Sequence, residues 1–183
     1  MDIAARFYAE EFSVFLFGYL RYGKSKVNPT EKGTYKDAEG AFQYLQKKLG
    51  IPASRIVPVG ESMGGGIVVD LCTRHHLRGA MLISSSTGLS QVMSHFYPGR
   101  PWNNKFTNIY DASIKISKML SPVLIIHGDS DDLVPFKQGK ELFRQANPPK
   151  VFYRVRGAGH NDIYEMGGNK LFKRIKEFVK KLK

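Results

Sequence analysis

Two hydrophobic rhythms alternate along this chain. Short continuous apolar runs at residues 12–17 (FSVFLF), 55–59, 79–84, 122–127 and 151–156 read as strands buried on both faces. Between them, apolar positions recur at helical spacing. Ile3, Ala4, Phe7 and Tyr8 mark a helix in residues 1–11. Ala38, Phe42, Leu45 and Leu49 share one face of a helix over 34–49, which Gly50 and Pro52 stop. Ile67, Val68 and Leu71 line a helix running from Ser62 toward Arg74, and residues 135–145 form another. Leu171, Phe172, Ile175, Phe178, Val179 and Leu182 define a closing helix over 170–182. Residues 18–33 read as a loop rich in Gly, Lys, Asn and Pro, and 87–120 as an irregular stretch containing Trp102. Strands alternating with helices predict an α/β fold with a mostly parallel sheet of about five strands. Neither an internal repeat nor a linker divides residues 1–183, so a single domain is expected. Residues 12–17 are apolar at every side-chain position but Ser13, which predicts an interior strand.

Composition changes this picture little. With one cysteine, Cys72, the chain forms no internal disulfide, which fits a reducing compartment and a cytoplasmic location. Its longest apolar run, near 12–20, is too short to span a bilayer, and Asp2, Glu10 and Glu11 are wrong for a secretory leader. The formal net charge is +12. Basic residues are spread along the chain and densest over 170–183, with no nucleic-acid motif beside them. A basic solvated surface is expected, one that offers peripheral contact to an anionic membrane but does not bind nucleic acid.

The chemistry lies in three loops that follow predicted strands. Gly60-Glu61-Ser62-Met63-Gly64 is G-x-S-x-G between a strand and a helix, the pattern that puts a serine on a sharp turn, or elbow, with its hydroxyl pointing off the sheet. The glycines leave room for the crossing backbones, and the N–H of Met63 faces the place where a substrate carbonyl oxygen would sit. Downstream come an acidic loop with Asp129, Asp131 and Asp132, then a Gly-rich loop with His160. The order serine, acid, histidine at one edge of a parallel sheet is the order a hydroxyl nucleophile, the orienting group and the base it orients take in one large fold. Any of the three aspartates can instead cap the helix near Pro135. His75, His76, His95 and His127 read as ordinary surface or core residues without metal-ligand spacing, so neither metal nor cofactor is expected.

Taken together, G-E-S-M-G-G (60–65), H-G-D-S-D-D-L-V-P (127–135) and G-A-G-H-N-D (157–162) resemble the α/β-hydrolase superfamily. The similarity is to its small capless serine hydrolases, including protein-depalmitoylating members, and runs from Phe12 onward. The resemblance implies an acyl-enzyme hydrolase of carboxylic esters or thioesters, acting on a small-molecule or acylated substrate. Its pattern H-G-x-x-D-x-x-V-P puts the acid on Asp131, the nucleophile on Ser62 and the base on His160, with Met63 N–H as half of the oxyanion hole. Residues 87–120 would shape the acyl pocket.

The resemblance also implies what is missing. Its members have about three strands before the one matching 12–17, and the third ends in an H-G loop that donates the second oxyanion N–H. Nothing here matches that loop, so the alternative expectation is a non-catalytic or fragmentary module. With its usual neighbours absent, the 12–17 strand is expected to leave a bare apolar edge and to drive self-association. A further reading, a P-loop at Gly18-Tyr19-Leu20-Arg21-Tyr22-Gly23-Lys24-Ser25, fits G-x-x-x-x-G-K-[ST]. No good helix follows it to hold phosphates, which makes the match a chance one.

Overall fold

The computed structural model describes residues 3–19, 30–100 and 109–182. Its centre is a parallel sheet of β1 (Val59–Glu61), β2 (Ala80–Ile83), β3 (Val123–Gly128) and β4 (Lys150–Val155), in that spatial order. Gly60 pairs with Leu82, Leu82 with Ile125, and Ile125 with Phe152, so the register runs straight across the sheet. Every residue of β2 and β3 is buried, as a parallel sheet covered on both faces requires.

Side-chain alternation sends the two faces into two cores. Ala80, Leu82, Val123 and Ile125 pack with Val69, Cys72, Ile116 and Leu142. Those partners come from α3 (Gly64–Arg74), α5 (Ala112–Ile116) and α6 (Phe136–Gln145), and Phe42 of α2 (Glu31–Gln43) joins them. On the other face Met81, Ile83, Leu124 and Ile126 meet Phe7 of α1 (Ile3–Ala9) and Leu171, Phe172, Ile175 and Phe178 of α7 (Ile163–Lys181). A short α4 (Leu89–Phe96) lies between β2 and β3 in the chain. The stretch expected to be irregular therefore holds two helices, α4 and α5, while Trp102 lies outside the described residues. So does most of the P-loop match, from Leu20 through Ser25.

The described sheet has four strands, not about five, because residues 12–17 form none. An interior parallel strand needs a hydrogen-bonding partner on each edge, and the described residues provide none for this segment. Instead the Phe12 N–H closes onto the Phe7 carbonyl at 3.2 Å, and the two rings meet edge to face. Beyond that turn Val14, Phe15, Leu16 and Phe17 are exposed, with Phe15 stacked on Tyr44.

β1 also begins later than the apolar run predicts. Ala53–Arg55 form a 3-10 turn, and Pro58 has no N–H to give to a ladder. Pairing starts where the Pro58 carbonyl accepts from Met81 N at 2.9 Å. The second helix ends in a π-helical turn, Tyr44–Lys48, and the last helix starts at Ile163, ahead of the predicted 170, with a break at Gly168 (φ +46°).

Candidate active site

The site grows from the C-terminal ends of β1, β3 and β4. β1 runs directly into Ser62, whose φ of +52° is a left-handed conformation that side-chain-bearing residues seldom adopt. The Ser62 N–H donates to the Ile83 carbonyl at 2.9 Å, which fastens the turn to the end of β2. Gly65 N then donates to Ser62 O and Gly66 N to Met63 O, which starts α3. The N–H of Met63, at the helix N-cap, is not among the backbone groups that pair within the described chain. The glycines that make room are not the pair the motif suggests. A Cβ on Gly60 would lie 2.4 Å from the Gly64 carbonyl oxygen, and one on Gly65 would lie 2.2 Å from Ser85 Oγ, whereas one on Gly64 would meet nothing within 4 Å.

β3 delivers the acidic loop. Asp131 is buried, and its Oδ1 accepts from the N–H groups of Leu133 (3.0 Å) and Val134 (2.7 Å). Its Oδ2 lies 2.9 Å from His160 Nδ1. The neighbouring aspartates face elsewhere. Asp129 pairs with Arg154 and accepts from Gly157 N at 2.6 Å, and Asp132 is exposed.

β4 delivers His160. Gly157, at φ +73°, turns the chain, and Ser130 N donates to Ala158 O at 3.0 Å, which ties this loop to the acidic one. The far nitrogen of His160, Nε2, lies 3.1 Å from Ser62 Oγ. The structure thus brings Ser62, His160 and Asp131 into one hydrogen-bonded line, Oγ to Nε2 and Nδ1 to Oδ2.

Residues 25–182 match the Prolyl oligopeptidase family. The chain belongs to that family, within the α/β-hydrolase superfamily. Among its relatives is human alpha/beta hydrolase domain-containing protein 17B, 38% identical over 170 residues, which cover 91% of this chain and 56% of that protein. An uncharacterised protein of Mycobacterium tuberculosis is 32% identical over 178 residues, 97% of this chain and 63% of its own length. The chain therefore spans a little over half the length of these relatives. An esterase of Pyrococcus furiosus shares the fold at a TM-score of 0.80 and 18% identity, over 98% of this chain and 75% of its own. A monoacylglycerol lipase of Paleococcus ferrophilus does so at 0.70 and 17%, over 97% and 86%.

Electrostatics within this hydrolase-fold site follow from its contacts. Burial alone would push the Asp131 carboxyl up, but hydrogen bonds from His127, His160 and Val134 N outweigh it and hold the group well below the usual carboxylate range. The hydrogen bond to Asp131 raises the pKa of His160 against the opposing effect of burial, helped by the negative charges of Asp131, Glu61 and Asp132. Two further contacts went unread in the sequence. Tyr164 Oη donates to Glu61 Oε2 at 3.1 Å, which ties the residue before the elbow serine to the first turn of α7. His127 is not an ordinary core residue either, since it touches the buried acid. Tyr164 lies in none of the three motifs, and His127 opens the H-G-x-x-D-x-x-V-P pattern, whose spacing to Asp131 is the signal for its contact. Among the described residues, no group of three or more His, Cys, Asp or Glu side chains is placed to hold a metal ion. No described helix is long and apolar enough to cross a membrane.

Proposed function

We propose that this chain carries a serine hydrolase centre that cleaves a carboxylic ester or thioester through an acyl-enzyme on Ser62. The observation that carries the reading is the unbroken line from Ser62 Oγ to His160 Nε2 (3.1 Å) and from His160 Nδ1 to Asp131 Oδ2 (2.9 Å). It stands on a serine held at positive φ at the start of a helix. That is the arrangement a hydroxyl needs for activation by an oriented imidazole.

In the first half-reaction Ser62 Oγ attacks the substrate carbonyl carbon while its proton passes to His160 Nε2. Asp131 keeps Nδ1 protonated and stabilises the imidazolium that forms. The oxyanion lies at the start of α3, where the Met63 N–H is available to donate. Collapse of the tetrahedral species breaks the bond to the alcohol or thiol, which takes the proton from Nε2. In the second half-reaction water loses a proton to His160, attacks the acyl carbon, and Ser62 leaves with that proton as the acid departs.

Short-chain p-nitrophenyl esters and acyl thioesters are the test substrates. Hydrolysis that is lost in Ser62→Ala and His160→Ala supports the reading. Equal rates in wild type and Ser62→Ala contradict it and favour a non-catalytic module.

A further inference from the structure

Behind the acid sits a histidine that the proposed reaction does not use. His127, near the end of β3, is fully buried. Its Nε2 is 2.8 Å from the Val134 carbonyl oxygen and 3.5 Å from Asp131 Oδ2. A carbonyl only accepts, so Nε2 carries the hydrogen. The same Val134 gives its own N–H to Asp131 Oδ1. His127, Val134 and Asp131 therefore close a small ring of polar contacts around the carboxylate, with His127 Nε2 beside the same oxygen, Oδ2, that faces His160 Nδ1.

The opposite edge of the imidazole makes no such bond. Nδ1 is buried without a hydrogen-bond partner among the described residues. It abuts Gly139 of α6, where a Cβ would lie 2.4 Å from Nδ1 and 2.8 Å from Cγ. Leaving a buried nitrogen unpaired costs stability, and an aliphatic side chain would avoid that cost on a strand that is otherwise apolar up to this point. A glycine on the helix facing the ring is a second sacrifice, because glycine weakens helices. Both features make sense if the ring is needed for what Nε2 does.

We propose that His127 is a positioning residue for Asp131. Its Nε2–H, shared between the Val134 carbonyl and the carboxylate, fixes the turn that aims Oδ2 at His160 Nδ1, and Gly139 lets the ring sit deep enough to reach. The proposal rests on the reading of Ser62, His160 and Asp131 as one reacting unit. The charged groups that act on His160 are Asp131 and Asp132 from the acidic loop and Glu61 from the elbow, so His127 reaches His160 through Asp131.

The test is a pH titration of the His160 imidazole by NMR on nitrogen-labelled protein, alongside ester hydrolysis. His127→Leu removes the donor, Gly139→Ala keeps it but displaces the ring, and His127→Gln replaces it with an amide donor. In His127→Leu and Gly139→Ala the His160 midpoint should fall and kcat should drop roughly 10- to 100-fold with little change in KM. His127→Gln should restore both. A His160 titration identical to wild type in Gly139→Ala and in His127→Leu overturns the proposal, and Gly139→Ala alone decides it if the leucine variant fails to fold. Should wild type take up no fluorophosphonate, the reading of Ser62 fails, but the His160 titration still decides the role of His127.

Discussion

Gly60 and Gly64 approach so closely across the elbow that a single methyl group on Gly60 would collide with the Gly64 carbonyl, 2.4 Å away. The collision would be with backbone, which cannot swing aside as a side chain can. Gly60→Ala should therefore destabilise the fold by about 2–3 kcal/mol and displace Ser62 from the end of β1. Gly64→Ala, whose Cβ meets open space, should leave thermal stability near wild type. Paired thermal melts of the two variants check this, and equal losses would contradict the asymmetry.

The acid should be confined to one aspartate. Asp131→Asn leaves His160 without its orienting carboxylate and should lower turnover on the order of a thousandfold or more. Asp132→Asn alters an exposed side chain and should change turnover little. Asp129→Asn loosens the tie to Gly157 and Arg154 and should affect stability more than turnover. Steady-state kinetics on the three variants separate these outcomes, and a damaged Asp132→Asn would move the acid by one residue.

Activity and stability should respond to pH in opposite senses around His160. Catalysis needs the neutral imidazole, and the Asp131 hydrogen bond raises its pKa. The ester kcat/KM should thus rise with pH through a midpoint above the ordinary histidine value of about 6.5. The stability contributed by the same pair is complete below about 6.5 and is lost as pH rises through the folded-state value of His160. Asp131, whose pKa is depressed, contributes above about 3.9, and that contribution is lost as pH falls through its folded-state value. Denaturant midpoints measured across pH should show the pair's combined contribution greatest between about pH 4 and 6.5. A kcat/KM midpoint at or below 6.5 would contradict the coupling.

The outer edge of β1 pairs with no other strand among the described residues, and Val59 on it is 43% exposed. A separate exposed apolar run extends from Val14 to Phe17. Such surfaces invite pairing between copies despite the net charge of +12. Light scattering over a dilution series should show an apparent mass that rises with concentration and falls when Leu16 and Phe17 are both changed to serine. A constant monomer mass at every concentration would remove this expectation.

The same residues show which parts of the structure can be read from sequence. β2 and β3 are legible because their apolar runs are buried by elements on both faces of the sheet that also lie within the chain. The run at 12–17 has the same spelling, but a buried strand is a property of its neighbours as much as of itself, and here it lies exposed beside Tyr44. The short β1 is displaced by Pro58, a local effect that hydrophobicity alone does not register. At the site, the three loops are legible because each carries glycines at fixed offsets from the side chain it presents. The roles of His127 and Tyr164 are not, since what distinguishes them is a side-chain contact, His127 with Asp131 four residues on and Tyr164 with Glu61 across the fold.

The central claim is that Ser62 is an activated nucleophile, and covalent labelling with a fluorophosphonate followed by intact-mass measurement and peptide mapping tests it most directly. A single adduct on Ser62, absent in Ser62→Ala and strongly slowed in His160→Ala, is the predicted result. No adduct on the wild-type protein, or an adduct that survives Ser62→Ala at another residue, would contradict it.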